Sequence, residues 1–189
     1  MAARAWSRER VETMHPRHAQ ERERGATLVE FAFICPLLFL LIFGIIDFGS
    51  AYNDLISLRQ GVREGARQGS VGVFGGTTGC QLQGASGSTE THELMCLTKN
   101  RIGSDDADLR VKVDLNTENK VGHGLLVCVQ RPVKSVSGFL SPVLDGRFMR
   151  TKVEIAIENV PAGTDVTAGE EDPPSGSNWS WCTAANPSP

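Results

Sequence analysis

The hydrophobic pattern of the chain is dominated by one apolar run from Ala26 to Ile46, in which Glu30 is the only charged residue. As a helix, this run would be about 31 Å long, close to the hydrocarbon thickness of a bilayer. An amphipathic helix of a soluble core would have a continuous polar face, which this run lacks. The pattern therefore predicts one membrane-spanning helix over residues 26–46.

The helical pattern continues after the apolar run, but with a single apolar stripe. Its apolar residues recur at spacings of three and four, at Tyr52, Leu55, Leu58, Val62 and Ala66. We therefore expect the helix to continue over residues 47–68 and to bury this stripe. Glycines also recur at every fourth position, at Gly61, Gly65 and Gly69. Because each glycine costs a helix roughly 1 kcal/mol relative to alanine, the row indicates close approach of another element, although we assign Gly69 to a fraying helix end.

Short elements alternate with loops from residue 69 to residue 160. A Gly/Ser/Thr-rich loop at residues 70–88 precedes a short helical pattern at 91–102 and three strand patterns at 109–115, 124–131 and 151–160. Alternation in the first and third strands gives each one apolar face. The apolar face of such an antiparallel sheet must pack against another element, and the long helix is the obvious candidate. The predicted fold class is α+β, with a long N-terminal helix packed on a small antiparallel sheet.

The last segment, residues 161–189, is acidic and rich in Pro, Gly and Ser. Such a composition predicts that most of this tail is flexible. The Trp-Ser-Trp-Cys stretch at residues 179–182 is the exception, since two tryptophans beside a cysteine indicate a local anchor.

Charge is distributed unevenly along the chain. The first 24 residues contain six arginines and four glutamates, while the whole chain has a net charge of −3. Arginines beside a membrane helix favour a cytoplasmic N-terminus, which places the rest of the chain outside the cytoplasm. No small-x-small cleavage site follows the apolar run, so an ordinary secretory signal is not indicated. The mildly acidic remainder offers no basic surface for nucleic acid.

Five cysteines divide into one within the apolar run and four beyond it. Cys35 is expected to act as a small apolar residue. The other four, in an oxidising compartment, imply two disulfides with three possible connectivities. We favour Cys80–Cys96, which ties the glycine-rich loop to the short helix, and Cys128–Cys182, which fastens the tail to the second strand.

Candidate chemistry is sparse. His92 and Cys96 are spaced i, i+4 and could share a helix face at a zinc site, but no CxxC or HExxH pattern accompanies them. Nucleophile and phosphate-loop motifs are absent from the sequence. We therefore expect no catalytic residues, no cofactor and no metal, and leave a membrane-tethered enzyme as the least favoured class.

A glycine and a glutamate mark the start of the apolar run. The charged leader ends at Gly25, directly after Arg24. Glu30 and Phe31 are the fifth and sixth residues after that glycine. An acid in a membrane helix is costly, so Glu30 either reaches back to the interface or has a functional partner. The arrangement GATLVEF, followed by Pro36, by GIIDFG at residues 44–49 and by REGAR at 63–67, resembles the TadE-like family of pilin-like proteins from the tight-adherence (Flp pilus) system.

The resemblance implies a pilin-like fold and a role as a minor pilin or pseudopilin. A prepilin peptidase would cut between Gly25 and Ala26, removing residues 1–25 as a cytoplasmic leader. Glu30 would then pair with the terminal amine of a neighbouring subunit, and Phe31 and Pro36 would belong to the assembly helix. Pro36 is open to two interpretations, a tolerated membrane proline or a bend for subunit packing.

The implied partners are the prepilin peptidase, other pilin-like subunits, the assembly platform and the lipid bilayer. The implied location is the bacterial cytoplasmic membrane, with incorporation into a surface pilus as a further possibility. The alternative is an unprocessed single-pass anchor carrying an extracytoplasmic binding module.

Overall fold

The apolar run and the helical pattern after it form one uninterrupted helix, α1, over Arg17–Ser70. The computed structural model describes residues 17–74, 80–103, 108–115 and 118–183, and only the backbone for residues 17–24. Most of the predicted leader, part of the glycine-rich loop and the last six residues lie outside these ranges. The chain divides into two compact units, Met1–Ile42 and Phe43–Pro189.

The described side chains of the first unit, residues 25–42, are called the stem. All of them are exposed except that of Cys35, which is half-buried. An 18-residue window of this helix has a mean hydropathy of 2.6, and none of the window is buried inside the protein. Within the described residues, this is one helix long and apolar enough to cross a membrane.

The second unit is built on a four-stranded antiparallel sheet with the order β3-β2-β1-β4. Its strands are β1 (Arg110–Leu115), β2 (Gly124–Pro132), β3 (Phe148–Ala156) and β4 (Gly169–Glu170). Two short helices accompany it, α2 (Thr89–Ile102) and α3 (Ser141–Leu144). The α+β fold predicted from the sequence is confirmed, although β3 begins and ends a few residues before the predicted strand.

One face of the sheet packs against α1 and α2. The alternating apolar residues of β1 and β2 lie in a single core with the apolar stripe of α1 and one side of α2; the fully buried members include Leu58, Val62, Leu94, Val111, Val113 and Val127. The stripe on α1 is shorter than predicted, because Tyr52 is 65% exposed. The helix therefore joins the core only in its last turns.

The opposite face of the sheet is covered by the tail. Trp179 and Cys182 pack with Leu126 and Cys128 of β2 in a second buried cluster. The backbone of Gly169–Glu170 adds β4 to the edge of β1. The expectation that most of the tail is flexible is wrong for these residues, because pairing and burial fix them to the sheet.

Glu171 holds the tail in place from inside the domain. Its side chain is fully buried, and its carboxylate accepts hydrogen bonds from Lys99 Nζ at 2.7 Å, Val111 N at 2.8 Å and Gln83 N at 3.0 Å. Its backbone carbonyl accepts from Trp179 Nε1 at 2.8 Å. A buried charge is tolerated only when it is paired and hydrogen-bonded, and this carboxylate meets both conditions.

Candidate functional site

The residues predicted to govern processing and assembly all lie on the exposed stem. Gly25, Ala26 and Glu30 are exposed, and Phe31 is 64% exposed. With a rise of 1.5 Å per residue, Glu30 lies about 8 Å along the helix axis from Gly25. Within the described residues, no hydrogen bond or ion pair involves the Glu30 carboxylate. The stem therefore presents one carboxylate on an otherwise uncharged and mainly apolar surface.

Pro36 lies inside α1, and the helix continues on both sides of it. A proline removes one backbone hydrogen bond. A membrane helix tolerates it when neighbouring groups satisfy the freed backbone carbonyl. Its neighbour Cys35 is a free thiol. Neither residue has a contact within the described part of the chain that assigns it a role beyond the helix.

The next acid along the helix, Asp47, has a very different environment. It immediately follows the apolar run and is fully buried. Its carboxylate accepts four hydrogen bonds, from Ser135 Oγ at 2.6 Å, Ser137 Oγ at 2.7 Å, Ser137 N at 2.8 Å and Val136 N at 2.9 Å. We call this arrangement the Asp47 clamp. It fixes the connection between β2 and β3 to α1.

The clamp stabilises the charged form of Asp47. Hydrogen bonds from the Ser135 side chain and from Ser137 and Val136 outweigh the opposing effect of burial and lower the pKa of Asp47 to about 2, from an ordinary value of 3.8. Sequence reasoning noted this residue only as part of the GIIDFG stretch. Its one available signal was an acid directly at the end of an apolar run.

The glycine row of α1 is the surface on which α2 packs. A Cβ atom at Gly61 would lie 2.7 Å from the backbone nitrogen of Ile102, and one at Gly65 would lie 3.1 Å from Thr98 Cβ. Gly69 also belongs to this contact, since a Cβ there would lie 3.0 Å from Leu94 Cδ1. The close approach predicted from the spacing is present, and the assignment of Gly69 to a fraying helix end is wrong because α1 continues to Ser70.

The four cysteines beyond the stem form the two favoured pairs. Cys80 pairs with Cys96 at a Cα–Cα distance of 5.5 Å, and Cys128 pairs with Cys182 at 6.0 Å. The Cys96 sulfur is therefore occupied, which removes the zinc site weighed for His92 and Cys96. Within the described residues, no group of three or more His, Cys, Asp or Glu side chains could hold a metal ion.

These features coincide with a match to a known family. Residues 25–67 match the family model described as TadE-like protein. The matched segment contains the stem, Asp47, Gly61 and Gly65, so it covers both the exposed apolar helix and most of the surface that packs on α2. No curated protein and no solved structure matches the chain.

Proposed function

We propose that this protein is a TadE-like minor pilin or pseudopilin, a structural subunit or assembly factor of a tight-adherence, Flp-like pilus. The observation that carries the proposal is the stem, an apolar helix whose side chains are exposed except for the half-buried Cys35, with a single carboxylate near its start. The family match over residues 25–67 and the apolar helix support a membrane protein associated with such a pilus. The proposed role is structural and involves no catalytic residue.

The described part of the chain leaves the apolar surface of the stem uncovered. Its exposed large apolar residues include Phe31, Phe33, Leu37 and Leu38, each more than half exposed. Soluble monomers rarely expose contiguous apolar patches above a few hundred Å². Two environments would remove this surface from water: the hydrocarbon of a bilayer, and the helices of other pilin-like subunits. A pilus subunit occupies the first before assembly and the second after it.

Glu30 would favour transfer of the stem from lipid to a neighbouring subunit, because its carboxylate could find a partner there. We propose that a prepilin peptidase cuts between Gly25 and Ala26, on the cytoplasmic side. The new amine of Ala26 would then pair with the Glu30 carboxylate of a neighbouring subunit. In a medium of low dielectric an unpaired charge is heavily penalised, so such a pair would fix the register between two helices.

The alternative, an unprocessed membrane anchor, has one observation in its favour. Helix α1 runs without interruption from Arg17 through Gly25. A peptidase needs its substrate extended, so cleavage at Gly25 requires the helix to open locally, whereas an unprocessed anchor requires no such opening. The low helix propensity of glycine reduces the cost of opening at that residue by roughly 1 kcal/mol relative to alanine.

Glu30→Leu tests the assembly role. The variant should insert into the membrane at least as well as the parent, because a charge is removed from an apolar helix, and it should abolish piliation. Val29→Leu, one residue away on the same exposed surface, is the matched control and should leave piliation unchanged. Piliation by Glu30→Leu at the parental level, with equal protein in the membrane, would disprove the pairing role.

A further inference from the structure

We infer that the connection between β2 and β3, residues 133–147, rests on the lipid surface at the outer end of the membrane helix. We call this segment the β2–β3 loop. The inference rests on the proposed membrane anchoring and adds a second, peripheral contact between the folded domain and the bilayer.

The middle of the β2–β3 loop is uncharged, and three of its apolar side chains are exposed. Residues 135–144, SVSGFLSPVL, contain no charge, while Lys134, Asp145 and Arg147 border them. Val136 is 68% exposed, Phe139 is 52% exposed and Val143 is 57% exposed. Isolated exposed apolar residues need no explanation, but three within one uncharged segment form a patch that favours a partner.

The Asp47 clamp sets the position of this patch. The backbone nitrogens of Val136 and Ser137 lie 2.9 and 2.8 Å from the carboxylate of the residue that directly follows the apolar run. The Phe139 ring lies 5.9 Å from the ring of Phe43, centroid to centroid. The loop therefore lies beside the helix at the level where the apolar run ends.

Exposed apolar residues of α1 also lie near that level, on the side of the helix away from Phe43 and Asp47. Ile45 is 65% exposed, Phe48 is 60% exposed and Tyr52 is 65% exposed. A tyrosine near the end of a membrane helix suits the boundary between lipid and water, because its ring is apolar and its hydroxyl can stay in water. Continuity with the proposed membrane span is the reason to choose lipid, rather than a second copy of the chain, as the partner.

The backbone of the loop is already prepared for a less polar environment. Four consecutive amides have partners inside the domain: those of Val136 and Ser137 bond to Asp47, that of Gly138 to Ser135 Oγ at 2.9 Å, and that of Phe139 to Ser137 Oγ at 3.1 Å. Unsatisfied backbone amides and carbonyls both oppose the placement of a loop against hydrocarbon. Because these four amides have partners in the protein, the loop leaves bulk water at a lower cost than it would with the amides unpaired.

Site-directed spin labelling of the full-length chain tests the inference. The protein, with Cys35→Ala and both disulfides intact, is placed in vesicles of phosphatidylethanolamine and phosphatidylglycerol. A nitroxide is attached at Val136→Cys, at Leu38→Cys in the stem, or at Val121→Cys. Val121 is the matched control, since it is 62% exposed and lies in the turn at the opposite end of β2. The measurement is the accessibility of each label to oxygen, which partitions into lipid, and to a water-soluble nickel complex.

The inference predicts that the label at Leu38 lies deep in the lipid, that the label at Val136 lies at a shallow depth and that the label at Val121 lies in water. The oxygen-to-nickel accessibility ratio at Val136 should be severalfold above that at Val121. An aqueous signal at Val136 with a deep signal at Leu38 would overturn the loop contact and leave the anchoring intact. A Val136 label shielded from both reagents would also overturn it, in favour of coverage by another protein copy. An aqueous signal at Leu38 would overturn the anchoring itself.

Discussion

At the scale of single residues, two acids on the same helix differ because of what surrounds them. Glu30 is exposed on the apolar stem, whereas Asp47 is fully buried under four hydrogen-bond donors. The donors to Asp47 lie 88 to 90 residues later in the chain. Local pattern cannot reveal such a partner, which is why the sequence singled out Glu30 and passed over Asp47.

Asp47→Asn should loosen the β2–β3 loop. Asparagine keeps the size of the side chain but removes the charge and replaces one acceptor oxygen with a donor, which then faces other donors. We expect faster hydrogen exchange at the amides of Val136 and Ser137. Asp145→Asn, on the same loop but exposed, is the control and should leave both exchange rates unchanged. Equal exchange in the two variants would contradict a stabilising role for the clamp.

The same clamp predicts a pH dependence of stability. The pKa of Asp47 is about 2 in the folded protein against an ordinary value of 3.8, so the folded state favours the charged form. Its contribution to the free energy of unfolding is therefore complete above the ordinary value and is lost as the pH falls from near 4 towards 2. In denaturation experiments in detergent, the stability difference between the parent and Asp47→Asn should shrink across this range. A difference that stays constant would contradict the assignment.

At the scale of elements, the pairing of α1 with α2 depends on the absence of side chains at the glycine row. Gly61→Ala would place a Cβ 2.7 Å and 2.9 Å from the backbone nitrogen and Cα of Ile102. Because backbone atoms cannot move aside cheaply, we expect a loss of about 1–3 kcal/mol, larger than the gain in helix propensity.

Gly49→Ala is the control for that change. A Cβ at Gly49 would meet nothing within 4 Å. It should leave the free energy of unfolding unchanged or raise it by up to about 1 kcal/mol, because alanine favours the helix. Thermal unfolding of both variants in detergent measures the difference. A Gly61→Ala protein as stable as Gly49→Ala would show that α2 does not pack as closely as described.

Elements with a strong hydrophobic periodicity were predictable from the sequence, and elements fixed by partners distant in the chain were not. The alternation in β1 gives Val111 and Val113 to the core, as expected from the sequence. The two residues of β4 are too few to show a period, and only pairing with β1 makes them a strand. The tail has a composition typical of disorder, yet the buried Glu171 and the Cys128–Cys182 bridge order it.

The features of the candidate site likewise fall into those that follow from local spacing and those that depend on distant contacts. The exposure of Glu30 and the glycine contacts follow from local spacing, so the sequence was sufficient to expect both. The Asp47 clamp required knowledge of which loop folds back onto the helix. No hydrophobic periodicity in the β2–β3 loop predicts that it packs beside Phe43.

At the scale of the whole molecule, the sheet of the second unit is covered on both faces, by α1 and α2 on one and by the tail on the other. Replacing Cys128 and Cys182 together by alanine should release the tail. Loss of a disulfide in a small domain typically costs about 2–5 kcal/mol. Trp179, now 7% exposed, should then show a red-shifted fluorescence.

Cys35→Ala is the matched control for the double variant, because Cys35 is the free cysteine among the described residues. It should change neither stability nor tryptophan emission. If the double variant also kept the emission of the parent, the tail would be held without the bridge, and Glu171 and β4 would be sufficient to fix it.

The proposed function depends most directly on the N-terminus of the mature protein. Mass spectrometry of the protein from native membranes, with the cognate prepilin peptidase present, measures it, and a strain lacking the peptidase is the control. A start at Ala26 that disappears in the control strain is the predicted result for a pilin-like subunit. A start at Met1 or Ala2 in both strains would contradict processing and leave an unprocessed membrane anchor with a disulfide-braced domain.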